Sequence, residues 1–255
     1  MPSLRQPLSA AIITLDCARP LAACLDSLGF CDEILVVDSG STDGTVELAQ
    51  SRGARVIRRE WRGFGAQKQF AVEQASHDWV LCVDSDERVT PELRAGIERA
   101  LAAPAAHAYE FARRNRFMGR YLRHGEGYPD WSLRLFDRRH ARWSDDEVHE
   151  KVIAQGPPGR IAGDLLHDSA ETLDGYLAKQ NRYTTIAAQR LMLDGRRAGF
   201  ARLVLSPLLR FIRFYFLRLG FLDGLPGLVH IAIGCQNSFL KYAKTIDLQK
   251  RQGRK

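Results

Sequence analysis

Over the first hundred residues, short apolar runs of strand length alternate with stretches whose apolar residues recur at helical spacing. Residues 10–15 read as a strand, and residues 19–28 put Leu21, Cys24, Leu25 and Leu28 on one helical face. Residues 33–38 form a second apolar run. A Gly/Ser/Asp-rich turn then feeds a helix over 43–51, with Asp43 as its N-cap. Residues 54–57 make a third strand, 67–76 a third helix and 79–83 a fourth strand. Thr90 and Pro91 open a helix whose apolar face is Leu93, Ile97, Ala100 and Leu101. Such alternation predicts an α/β fold built on a mostly parallel, doubly wound sheet.

Two of these strands run into acids. The second ends at Asp38, and the fourth is followed by Asp84, Asp86 and Glu87. Open α/β sheets bind ligands beyond the carboxyl ends of their strands. An Asp-x-Asp there can hold a divalent cation on hard oxygens, with substrate phosphates filling the remaining positions. Neither a G-x-G-x-x-G fingerprint nor a Walker-type loop is present, which argues against dinucleotide and P-loop chemistry.

The pattern changes at about residue 105. Short strand-like segments over 109–114, 121–123, 131–136, 151–154 and 160–166 are separated by aromatic and acidic loops, the composition of an acceptor cleft. Residues 172–194 read as a helix. Residues 196–255 hold 12 Lys/Arg against Asp223 and Asp247, so the last sixty residues carry +10 and the preceding ones −3. On a helix over 203–219, Arg202, Arg210, Arg213 and Arg218 fall on one arc, opposite Leu205, Leu208, Leu209, Ile212, Phe216 and Leu219. Arginines at a helix centre disfavour a span, so an interfacial helix on an anionic leaflet is expected. Asp223 to Gly227 reads as a tight turn between two such helices. Packing against a second copy of the chain is the alternative. Long aliphatic runs among the basic residues argue against nucleic acid. Five cysteines without a C-x-x-C pair, and no apolar signal region at the start, point to a cytoplasmic setting.

The set Ile12-Ile-Thr14, Val36-Val-Asp38-Ser-Gly-Ser-Thr-Asp43-Gly-Thr45, Gly65-x-x-Lys68, Asp84-Ser-Asp86-Glu87-Arg88 and Val148-His149-Glu150-Lys151 resembles the family 2 glycosyltransferases of GT-A fold. It is closest to the bacterial lipopolysaccharide inner-core β-1,4-glucosyltransferases. The resemblance implies a GT-A domain over 8–168, with a nucleotide-sugar half (8–103) and an acceptor half (104–168). A basic, helical, membrane-associating region over 169–255 follows. It further implies a UDP-sugar donor bound by Thr14, Asp38, Lys68 and Asp84, and a Mg²⁺ or Mn²⁺ ion on Asp86 and His167. Glu150 would be the base, with Asp145, Asp146 and Glu147 as rivals. Trp131, Arg134 and His149 would form the acceptor side, although Trp131 also fits core packing. Glu87 would support the turn and not bind metal. The acceptor would be a lipid-linked saccharide, lipopolysaccharide core heptose first, on the cytoplasmic face of the inner membrane. The chain departs from the family in carrying Asp16-Cys17 where relatives have Asn-Glu.

A sugar nucleotidyltransferase would need a Gly-rich, basic loop after the first strand, and residues 15–20 are not one. A non-catalytic basic membrane-binding module would leave the acids merely structural.

Overall fold

The computed structural model describes residues 5–144, 150–168 and 172–252. The chain divides into two compact units, Met1–Arg113 with Asp130–Asp168, and Arg114–Pro129 with Ser169–Lys255. The segment 114–129 therefore groups with the C-terminal helices and not with the catalytic half expected from sequence.

The first unit begins with β1 (Leu8–Thr14), α1 (Ala18–Ser27), β2 (Glu33–Asp38), α2 (Thr45–Ser51), β3 (Arg55–Arg58), α3 (Phe64–Gln74) and β4 (Trp79–Cys82). Then come β5 (Glu87–Val89), α4 (Pro91–Ala102), β6 (Ala108–Phe117), β8 (Asp130–Asp137), β9 (Ala141–Trp143), β10 (Val152–Ala154) and β11 (Gly159–His167); the short β7 (Arg120–Tyr121) lies in the second unit. The sheet order is β3-β2-β1-β4-β8-β6-β11-β5. Strands β3, β2, β1 and β4 run parallel, as the βα alternation predicts. The sheet is nevertheless mixed. β8 enters antiparallel beside β4, and β6 pairs antiparallel with β8, so the parallel run read from the periodicity covers its first half and the whole is the mixed sheet that a GT-A fold implies. Nothing in the local pattern of β8 announces that non-local insertion.

Every residue of β4 is buried, because the sheet is covered on both faces. Trp79 and Leu81 join Leu8, Ile12, Leu21, Leu25, Leu93 and Ile97 on one face; Val80 and Cys82 join Ala71, Val72, Phe136 and Trp143 on the other. Thr90 caps α4 as expected, its Oγ1 accepting from Leu93 N–H at 3.3 Å with Pro91 in the first turn. Asp43 does not cap α2. Gly44 adopts φ 89°, the helix starts at Thr45, and the Asp43 carboxylate instead accepts from Thr45 N–H and Ala18 N–H. Gly163 sits at φ 104°, where a Cβ would lie 2.3 Å from the Leu93 nitrogen; only glycine lets β11 approach the start of α4 this closely.

One carboxylate ties the edge of this sheet together. Glu33, at the start of β2, accepts from Ser9 on β1, Arg55 on β3, and the backbone and hydroxyl of Ser76. Burial pushes its pKa up, but the Ser9, Ser76 and Arg55 hydrogen bonds prevail and bring it down to about 2. A depressed folded-state pKa stabilises the fold above the ordinary carboxyl value and loses that contribution as pH falls towards 2. Glu33→Gln should therefore destabilise the protein by about 2 kcal/mol at neutral pH. In urea titrations the gap to wild type should close on acidification below about pH 4.5.

The second unit holds β7, α5 (Leu173–Leu193), α6 (Phe200–Phe211) and α7 (Gly224–Gln252). α6 continues as a π-helical turn, Ile212–Leu217, and a 3₁₀ turn spans Gly220–Asp223. The break between the helices thus lies upstream of the turn expected at Asp223 to Gly227, and Pro226 and Gly227 belong to the start of α7. Asp223 is fully buried and accepts from the Arg123 and His124 backbone N–H groups at 2.8 Å each. No residue of α6 is buried; Leu205, Leu208 and Leu209 on it, and Phe216 in the turn that follows, are exposed. The arc of four arginines does not survive, because Arg210 turns inward to Glu126 and to Ser238 Oγ. Among the described residues no single helix is long and apolar enough to cross a membrane; Phe200–Leu217 and Gly220–Gln252 meet the test only as a pair bent by 73°.

Candidate active site

The parallel register aligns the strand ends. Thr14 pairs with Asp38, and Ala11 with Cys82, so Thr14, Asp38 and the acids after β4 share one edge. Asp38 is buried and its carboxylate is fully used: Thr14 Oγ1 and Ser41 Oγ donate to one oxygen, Gly40 N–H and Ser41 N–H to the other. Burial alone would raise its pKa, but these four bonds hold it below the ordinary carboxylate range. In this conformation Asp38 orders the loop at the strand end. Asp16, at φ 45°, closes the same loop: its N–H donates to Ser41 Oγ and its carboxylate accepts from Thr42 N–H.

Asp84 lies between two cations. Lys68 Nζ, from α3, is 3.1 Å from one carboxylate oxygen, and Arg134 Nη2, from β8, is 2.9 Å from the other. Burial opposes ionisation of Asp84, but Arg134 and Lys68 outweigh it and hold the carboxyl well below its usual range. Glu87 is fully buried and receives the Asp84 N–H at 2.9 Å, so it supports the turn as expected. Its pKa is raised by burial, with Arg134 pulling the other way. Arg113 Nη1 approaches it at 3.4 Å and Arg134 Nη2 at 3.5 Å.

Arg134 and Trp131, both expected on the acceptor side, sit in different surroundings. β8 shifts register against β6 between Leu135 and Leu133, so simple alternation of faces does not apply to Arg134. Arg134 is buried among the acids, whereas Trp131 is exposed and carries the Arg160 guanidinium 4.4 Å over its ring. Trp131 is accordingly not core. Arg134 Nη1 is buried with no hydrogen-bond partner among the described residues, a donor left over for an anion.

Asp86 and His167 meet although some eighty positions separate them. β5 pairs antiparallel with β11, His167 opposite Glu87, and His167 Nε2 comes to 3.2 Å from Asp86 Oδ2. Burial lowers the His167 pKa, yet the Asp86 carboxylate outweighs it and raises the value overall. Carboxylate oxygen and imidazole nitrogen, both half-exposed, suit Mn²⁺ or Mg²⁺ completed by phosphate oxygens. A second His/Asp group, His107, Asp137 and His140, lies at the other end of β4, since Asp137 pairs with Trp79. There Arg139 already holds the carboxylate at 2.6 Å, and the two imidazoles stack with their centroids 3.9 Å apart.

Glu150 precedes β10, which pairs with β9, and its Oε1 lies 3.2 Å from Lys68 Nζ. One ammonium thus bridges Asp84 and Glu150. Sequence reasoning missed two members of this cluster. Trp143, buried on β9, places its ring 4.8 Å below Lys68 and 5.5 Å from Arg134. Arg113 links Glu87 to Asp130. The only hint was a Trp and an Arg inside otherwise charged segments. His149, Asp145, Asp146 and Glu147 lie outside the described residues.

A parallel βα half extended by antiparallel strands, with acids gathered at the strand ends, defines a GT-A α/β transferase. The comparison with known sequences agrees: residues 9–154 match the family described as Glycosyl transferase family 2, and the chain belongs to that family. It is 36% identical to the lipopolysaccharide core biosynthesis glycosyltransferase LpsC of Rhizobium meliloti over 93% of this chain and 91% of that one. It is 29% identical to an uncharacterized glycosyltransferase of Rickettsia prowazekii, RP128, over 94% and 87%. Glucosyl-3-phosphoglycerate synthase of Mycobacterium tuberculosis, solved with Mn²⁺ and UDP-glucose, overlaps 43% of this chain and 44% of that one at 26% identity and a TM-score of 0.38, too partial to carry an argument. The protein is a glycosyltransferase.

Proposed function

We propose that this glycosyltransferase is an inverting, metal-dependent hexosyltransferase that takes its sugar, glucose first, from a UDP-sugar. The observation that carries the reading is the Asp86–His167 pair set beside Asp84, Lys68 and Arg134 at the strand ends. Asp86 and His167 would hold the divalent ion, which when bound neutralises charge on the departing diphosphate. Lys68 and the unpartnered Nη1 of Arg134 supply further positive charge for the same anion. Thr14 and the loop ordered by Asp38 line the nucleotide side, and Asp84 keeps the two cations in place. Glu150 takes the proton from the acceptor hydroxyl as that oxygen attacks the anomeric carbon; the carbon–oxygen bond to the diphosphate breaks and UDP leaves. The resemblance to LpsC supports a lipid-linked saccharide of the lipopolysaccharide core as acceptor. The exposed apolar face of α6, with Arg202, Arg213 and Arg218 on the same segment, supports peripheral docking on the cytoplasmic face of an anionic membrane.

Calorimetry of UDP binding with and without Mn²⁺ tests the site. Wild type should bind UDP more tightly with the ion. Asp86→Ala should erase that difference and lower transfer by about a hundredfold or more. Equal Mn²⁺ dependence in wild type and variant would remove Asp86 from the ion site.

A further inference from the structure

We infer that the helical unit carries an anion site of its own, shaped for a phosphate group, between α5, α6 and α7. A cavity of about 210 Å³ there is lined by Gln180, Tyr183 and Thr184 from α5, Arg210 from α6, and Ser238 and Lys241 from α7. Most of its lining residues carry polar groups, although all three helices expose apolar residues elsewhere. The charge is unbalanced. Arg210 is paired with Glu126, and its Nη1 donates to Ser238 Oγ at 3.2 Å, which leaves the Ser238 hydroxyl proton to donate onward. Lys241 and Lys244 are half-buried one turn apart on α7, and neither has a carboxylate partner among the described residues. Lys244 Nζ reaches only oxygens of Asn181, Thr184 and Thr185, all between 2.7 and 2.9 Å. Arg210 and Lys241 thus line the recess beside the hydroxyls of Thr184 and Ser238, with Lys244 just behind Thr184, a donor set that complements a phosphate oxyanion.

The arrangement is also braced. A Cβ at Gly234 would fall 2.3 Å from Glu126 Oε2 and 3.0 Å from Arg210 Nε, so α7 gives up a side chain where the Arg210–Glu126 pair lies against it. The same helix that sends Arg210 into the cavity exposes Leu205, Leu208 and Leu209 outside. An amphiphile whose acyl chains meet that face has a phosphate-binding recess within the same unit. The inference deepens the membrane-docking reading but is tested without depending on it.

The test uses the full chain with two probes. One is sn-glycerol 3-phosphate, followed by calorimetry. The other is vesicles of phosphatidylcholine, alone or mixed with phosphatidic acid, followed by flotation. Lys241→Glu is compared with Lys250→Glu, which makes the same charge change near the end of α7. Expected is a loss of phosphate affinity of about tenfold or more in Lys241→Glu and little change in Lys250→Glu. Loss on both probes identifies the phosphate group itself as the ligand, and loss on the vesicles alone identifies a lipid headgroup. Equal losses in both variants, or no binding of either anionic probe by wild type, would overturn the site. Flotation with phosphatidylcholine alone reports the α6 face, so docking can stand while the pocket fails, and glycerol phosphate binding can stand while docking fails.

Discussion

Glu150→Gln should lower the rate of sugar transfer by about 10²–10⁴-fold, the range for loss of a positioned general base, with UDP affinity unchanged or slightly improved. The direction of the second effect comes from Lys68. Its ammonium bridges Glu150 at 3.2 Å and Asp84 at 3.1 Å, so removing one carboxylate leaves more of its charge for the donor diphosphate. The amide keeps the size of the side chain and its hydrogen bonding to the ammonium, so the hairpin of β9 and β10 should be unaffected. Initial rates at saturating donor, with UDP affinity measured separately, distinguish a lost base from a damaged donor site. Wild-type turnover in Glu150→Gln would move the role to another acid, Asp145, Asp146 or Glu147 being the neighbours in sequence.

Arg134→Met should destabilise the fold by about 3–5 kcal/mol, the cost of stripping a buried ion pair of one partner. Arg134 is buried, 2.9 Å from Asp84 and 3.5 Å from Glu87, and Glu87 is fully buried. Methionine fills much of the volume, so the loss reports charge and not a cavity. Adding Glu87→Gln to Arg134→Met should recover part of the loss, because one uncompensated carboxyl is then gone. Urea unfolding of the single and double variants checks both statements; a double variant less stable than Arg134→Met would show that packing, not charge, governs this cluster. Arg113→Met should cost less, since Arg113 is more exposed than Arg134 and its second carboxylate partner, Asp130, is itself partly exposed.

The parallel half of the fold was legible in the sequence because its signals are local. Strand β4 is apolar throughout since both its faces are covered, and Thr90-Pro91 marks the start of α4 without tertiary help. The acids were legible for the same reason: a buried run that stops at Asp84 must place its polar residues at the strand end. Asp43 misled because the left-handed Gly44 beside it delays the helix to Thr45 and sends the carboxylate to Ala18. The antiparallel half was hidden by its non-locality. β5 is three residues long and begins within the acidic turn, and only its pairing with β11 brings His167 to Asp86. The burial of Arg134 among the acids was hidden because it depends on where β8 shifts register against β6, which β8 alone does not show. In the tail, the π-helical turn after α6 breaks the 100° periodicity on which the arginine arc depended.

The way β8 and β11 enter the sheet has a consequence during synthesis. When β4 and its acids are synthesised, none of the partners Arg113, Arg134 and His167 has yet been made. The nascent βα half carries Asp84 and Glu87 with Lys68 as their one cation from this cluster already in the chain. Burial of Glu87 must therefore wait for the later strands. A ribosome-stalled chain of the first hundred or so residues has the nucleotide-side strands but not the charge balance that closes the acid turn, so the catalytic centre is completed only when the last strand of the domain emerges.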